Sequence, residues 1–114
     1  MDNNLILSDA PPCDQLHVYE QFVDQNWLGG DTPDYTMIAL AGEIGAACNY
    51  HKKGLRQPGF GHDPKWKEKK IDELGDALYF LARAAHECGT TLRGPMAQNH
   101  TKFKKRGLSD VSGR

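Results

Sequence analysis

The sequence predicts an all-α protein, an antiparallel four-helix bundle, on three observations. Apolar residues recur at steps of three and four: Ile71, Leu74, Leu78, Leu81 and Ala85 form one stripe, expected to pack on a core, and Leu16, Tyr19, Phe22 and Val23 form another. No stretch of any length alternates apolar with polar residues as a strand would. Proline, glycine and capping residues divide the chain into four helical segments with short connections, the pattern of an antiparallel bundle. The chain has 114 residues, enough for one domain with a single core, and contains no internal repeat.

The segments follow in order. Residues 1–13, with Asp2-Asn3-Asn4 and Pro11-Pro12, read as a flexible N-terminal arm. Asp14 is placed to cap a first helix from Gln15 to Trp27, and Gly29-Gly30 ends it. Asp31-Thr32-Pro33-Asp34 starts the second, with a capping side chain followed by proline in the first turn. That helix runs to about Lys53, with Gly54 as its stop. Residues 54–63 hold three glycines and a proline and form a loop. Asp63-Pro64 opens a third helix lasting until Gly89. Thr90-Thr91 restarts the chain into a fourth, from Leu92 to Arg106, whose first turn Gly94 and Pro95 make irregular. The helical domain thus spans 14–106, and 107–114 form a mobile C-terminal tail.

Composition excludes several classes of function. A charged fraction of 25% and a net charge of −1 argue against general binding to nucleic acid. The longest apolar run falls far short of the roughly 20 residues of a membrane helix, and Leu5-Ile6-Leu7 is too short for a signal-peptide core. Cys13, Cys48 and Cys88 are odd in number, without metal-ligand spacing, and Cys48 reads as a small core residue; a reducing cytoplasm is the expected location. His51 and His62 lack the partners of a zinc site. The glycine-rich loop lacks Gly-Lys-Ser/Thr and is no P-loop.

The candidate chemistry lies in three carboxylates. Glu73 and Asp76 sit about 60° apart on the third helix, away from the apolar stripe. Ala77, Phe80 and Ala84 continue their face where a solvated face would carry Lys, Glu or Gln. Glu43 on the second helix shares its side with Ala39, Ala46, Ala47 and Tyr50. Carboxylates in apolar surroundings need a positive partner, either a divalent cation or a Lys or Arg at a helix–helix contact. If the two helices pack antiparallel, Glu43, Glu73 and Asp76 converge on one cation, and oxygen-only ligands favour Mg²⁺ or Mn²⁺ over zinc.

Together these residues resemble the MazG-like family of all-α nucleoside triphosphate pyrophosphohydrolases in its short single-domain form. Leu40-Ala41-Gly42-Glu43-Ile44-Gly45, followed by Asn49 and Lys52-Lys53, is similar to the family's first Glu-x-x-Glu helix. Glu73-Leu74-Gly75-Asp76, followed by Leu78-Tyr79, is similar to its Glu-x-x-Asp helix, and Asn99-x-x-Lys102-Phe103-x-x-Arg106 to a motif near the end of its last helix. The resemblance covers roughly residues 15–106 and departs from the family at Ala46, where a second glutamate stands. It implies hydrolysis of a nucleoside triphosphate to the monophosphate and pyrophosphate. Glu43, Glu73 and Asp76 would then be the catalytic, Mg²⁺-binding acids, with Lys52, Lys53, Asn99 and Lys102 as phosphate contacts. Ala46 opens the alternative of a member that binds nucleotide, or a partner helix, without turnover.

Outside the resemblance, Lys52, Lys53 and Arg56, and likewise Lys104, Lys105 and Arg106, end helices, where they also suit the helix dipole. Trp66 and Tyr79 are candidates for stacking on a base, though helical aromatics more often serve a core. The third helix carries apolar residues on two faces, more than one four-helix layer covers, and the family's small members associate. At least a homodimer is therefore expected.

Overall fold

The computed structural model describes residues 7, 11, 13–30, 32–59, 61 and 63–107. Most of the expected arm and tail, together with Asp31 and His62, lie outside them. Four helices are present, α1 (Gln15–Gln25), α2 (Pro33–Gly54), α3 (Pro64–Glu87) and α4 (Arg93–Lys105), and no strand occurs among the described residues.

The helix ends show which signals acted. Asp63 caps α3 as its position suggests, its carboxylate accepting the Lys65 amide at 2.9 Å. Asp14 stands at the N-cap of α1, but its side chain makes no capping bond. α1 stops at Gln25, two residues short of Trp27, because Asn26 closes it: the Asn26 amide donates to the carbonyls of Phe22 and Val23, and its side chain donates to Phe22 as well. Gly54 does not stop α2; it is the last helical residue and is buried, while Gly59 and Gly89 supply left-handed backbone beyond α2 and α3. α4 has no side-chain cap of its own. Instead the Leu92 amide donates to the Glu20 carboxylate at 3.1 Å, tying the start of α4 to α1.

α2 and α3 pack antiparallel. The Trp66 indole donates to the His51 ring at 3.3 Å, Lys69 lies over Tyr50, and Glu43 meets Glu73, so the partners run in opposite directions along the two helices. α1 packs on α3, also antiparallel: Tyr79 donates to the Asn26 carbonyl at 3.2 Å, Asp24 meets Arg83 and His86, and Glu20 reaches Leu92. The buried core is small, namely Val23, Ala82, Ala85 and Leu92, with Leu16, Tyr19 and Tyr79 against it. α4 contributes no buried residue.

Several expected core positions are open. On α3, Ile71 is 69% exposed and Leu74 59%, and Leu78 and Leu81 are exposed too, leaving only Ala85 of that stripe in the core. Phe22 of α1 faces outward and Cys48 is exposed rather than buried, as are Cys13 and Cys88. The physical reason is angular. α1 and α2 meet α3 on other sides, and the stripe lies about 120° round the helix from Glu73, the centre of its contact with α2. No described helix is long and apolar enough to cross a membrane.

Candidate metal centre

Glu43, Glu73 and Asp76 come together at the α2–α3 seam, with one carboxylate oxygen of each lying within 4.8 Å of the other two. The helices explain the convergence. Glu43 sits midway along α2 on the side that faces α3, among Ala39 and Ala47, whose small side chains let the backbones approach. Glu73 occupies the matching point of α3, only 9% exposed, and Asp76 follows one turn later at the open edge. Contrary to the expectation of a buried pair, only Glu73 is enclosed; Asp76 is exposed and Glu43 half-buried.

The donor set fits a hard cation. All three acids supply oxygen alone; oxygens sharing one Ca²⁺ at about 2.3–2.6 Å stand up to about 5 Å apart, and those sharing one Mg²⁺ at about 2.0–2.1 Å up to about 4 Å, so a separation of 4.8 Å requires the acids to draw closer for Mg²⁺. One positive group is already present: Lys69 Nζ lies 2.9 Å from Glu73, one turn earlier on α3. The hydrogen bond and charge of Glu73 hold the Lys69 ammonium above its ordinary pKa. The two answers to the cost of these carboxylates, cation and lysine, thus meet at one residue. Glu43 and Asp76 make no hydrogen bond or ion pair among the described residues. On the same side, partial burial raises the Tyr19 phenol, and Tyr79 and Asp76 add to the shift.

The basic and amide candidates are dispersed. Lys52 lines a groove of about 420 Å³ on the opposite side of the seam, which shares Glu73 with the triad. Lys53 is exposed at the end of α2. Asn99 and Lys102 lie on α4, where Lys102 borders a shallow hollow made by that helix alone, and no described contact joins either to the acids. Ala46 is exposed, one turn beyond Glu43. His51 stands at the edge of α2, held against Trp66, and makes no metal cluster among the described residues.

An aromatic group on the triad's side of the seam was not legible in the sequence. Trp27 stacks on Tyr79 with centroids 5.8 Å apart and meets Tyr35 and Phe80 edge-on, while the Arg83 guanidinium lies 5.0 Å from its ring. Its indole donates to the Gly30 carbonyl at 2.6 Å. Gly29 is required beside it, because a Cβ there would collide with the rings of Trp27 and Tyr35. Phe80 follows Asp76 by one turn. The available signal was the pairing of Tyr79-Phe80 with a tryptophan just before two glycines.

Compared with protein-family models, curated proteins and solved structures, the chain matches none.

Proposed function

We propose that the protein is a divalent-cation-dependent nucleoside triphosphate pyrophosphohydrolase of the MazG-like type, acting on surplus or noncanonical nucleotides in the cytoplasm. One observation carries this reading: three acids from two helices, joined by a glycine-rich loop, bring their oxygens within 4.8 Å in the order that the motif resemblance requires. The finer fold, a MazG-like antiparallel four-helix bundle, belongs to the same proposal and draws support from the four helices and the antiparallel α2–α3 pair.

In this reading Glu43, Glu73 and Asp76 would hold Mg²⁺ or Mn²⁺, and the ion would supply positive charge to offset that building on the leaving pyrophosphate. A water oxygen forms a bond to the α-phosphorus as the bond to the bridging oxygen of the β-phosphate breaks, and that electron pair leaves with pyrophosphate. Asp76, the open acid, orients the water and accepts its proton. Lys53 at the end of α2 is the expected basic group nearest the phosphates, whereas Lys52 lies across the seam and Asn99 and Lys102 stand apart on α4, so their expected phosphate contacts draw no support from this arrangement. The aromatic group one turn from Asp76 favours a nucleotide over bare polyphosphate, because rings of this kind stack on a base.

A second reading has its own observations: a nucleotide-binding or helix-binding module without turnover, favoured by Ala46 and by the lysine already paired to Glu73. A pyrophosphate-release assay over canonical and modified triphosphates, with Mg²⁺ and with Mn²⁺, separates the two. Monophosphate and pyrophosphate as products support the enzyme. Nucleotide-induced thermal stabilisation without products supports the binding module, and inorganic phosphate as product points to a different hydrolase.

A further inference from the structure

The groove of about 420 Å³ between α2 and α3 lies on the side of the hairpin away from the triad, and its two ends differ in chemistry. Its volume falls in the range of about 300–1,000 Å³ usual for small-ligand sites. From Ile44 to Leu55 it follows α2 for about 16 Å, at about 1.5 Å per residue. The half toward the middle of the hairpin is aliphatic: Ile44, Ala47, Cys48, Leu74 and Ala77 line it and offer no strong donor or acceptor. The half toward the α2–α3 loop carries His51, Lys52, Trp66 and Lys70. Trp66 holds two of them in place: its indole donates to the His51 ring at 3.3 Å, and the Lys70 ammonium lies 5.0 Å from its ring centre. Glu73, the one acid in the lining among the described residues, is already paired to Lys69 at 2.9 Å. Among the described residues no carboxylate pairs with Lys52 or Lys70.

We propose that this groove binds a medium-chain fatty acid, with the hydrocarbon chain along Ile44, Leu74 and Ala77 and the carboxylate at Lys52 and Lys70. Each part of the ligand answers a part of the lining. In the aliphatic half a base, a sugar or a peptide would bury donors and acceptors without partners, whereas methylene groups gain by leaving water. At the other end two ammonium groups, with no acid of their own, attract an anion, and the cation–π contact with Trp66 keeps one of them at the rim. A neutral amphiphile would leave that charge unanswered, and a cationic one would be repelled by it. Length agrees as well: at roughly 1.2 Å per bond, as in an extended backbone, a chain of about ten to twelve carbons spans most of the groove. The site needs neither a divalent cation nor a nucleotide, so this proposal stands or falls independently of the catalytic reading.

The test is calorimetric titration of the full chain with octanoate, decanoate and dodecanoate, each below its micelle concentration. Decanoate should bind saturably in the micromolar range, and each added methylene should tighten binding by about two- to fourfold. Decanol and decylammonium, which keep the chain and change the head, should bind roughly tenfold more weakly or worse. Lys52→Glu/Lys70→Glu should weaken decanoate by roughly tenfold or more and leave decanol unchanged. Leu74→Asp sets a charge against the hydrocarbon and should weaken every member of the series. All three positions are exposed, so helical circular dichroism should be retained in both variants. Ile38→Glu alters an exposed side chain off the groove and should bind decanoate as the parent does. Four results would each overturn the proposal: no saturable heat with decanoate, an affinity independent of chain length, decanol bound as tightly as decanoate, or parent-like decanoate binding in either groove variant.

Discussion

The two sides of the α2–α3 hairpin are built from different faces of the same two helices, and they differ in kind. One side carries Glu43, Glu73 and Asp76 at its seam, α1 packed along its flank, and rings gathered around Trp27. Several polar groups of that flank have partners within the chain: Tyr79 reaches a carbonyl, Arg83 reaches Asp24 and Glu87, and Glu20 caps the start of α4. The other side carries two rows of aliphatic side chains and a groove, with basic residues only at its rim. The first side gathers carboxylates and rings; the second presents apolar side chains to solvent. A helix has room for both because 3.6 residues per turn separate positions 73 and 76 from positions 71, 74 and 78 by more than a quarter-turn of circumference.

Four substitutions sharpen that contrast, and the largest effect is expected at Glu73. Glu73→Gln removes the enclosed acid, and Asp76→Asn the open one. Each should reduce Mg²⁺ affinity at least tenfold and abolish cation-dependent turnover while leaving the sedimentation mass unchanged. Calorimetric titration with Mg²⁺ reads the affinity. Equal affinity in parent and both variants would make the triad a structural ion pair, and the chemical side of the hairpin would have no chemistry.

A gain is expected at Ala46, one turn from Glu43 on the triad side. Ala46→Glu adds a fourth carboxylate, so Mg²⁺ should bind several-fold more tightly and hydrolysis should rise. In chelator the added charge beside Glu43 should cost about 0.2–0.5 kcal/mol, the usual penalty for like charges one turn apart. The melting temperature should therefore fall without metal and recover by more than the parent's on adding it. If neither metal affinity nor turnover changes, position 46 does not serve the site, and the likeness of α2 to the family's first helix fails.

The smallest effect concerns Lys69, the cation already at Glu73. Lys69→Met removes a competitor for the same oxygen, and Mg²⁺ affinity should rise a few-fold. Weaker Mg²⁺ binding in the variant would show that the lysine assists the site instead of competing with it. Because Glu73 raises the Lys69 pKa, the pair's contribution to stability is complete below the lysine's ordinary pKa and is lost as pH rises through the raised value. The melting-temperature gap between parent and variant should accordingly stay constant near neutrality and close only in alkali.

Much of this was legible along the chain, and what was not follows a pattern. Asp63-Pro64 and Thr32-Pro33 mark helix starts because proline fixes φ in the first turn; Asp63 adds a cap to α3, while Thr32 makes no capping bond at α2. The approach of Glu43 to Glu73 and Asp76 was readable because two antiparallel helices of known pitch leave few registers. Burial along the Ile71–Ala85 stripe was misread, since periodicity tells that a face is apolar but not what covers it. Cys48 was misjudged for the same reason. The role of Trp27 was hidden because its partners Tyr35, Tyr79 and Phe80 come from two other helices.

The sequence by itself determined the helices, their boundaries to within a turn, and the three acids that meet, because each depends on local backbone preferences and on helical pitch. Tertiary structure decided which apolar row became core. α1 settles on the Tyr79–Arg83 flank of α3, where Asn26, Asp24 and Glu20 find partners, and it leaves the opposite row uncovered. That choice is a competition between faces of one helix for the same neighbour, and a pattern read along the chain carries no information about which face wins.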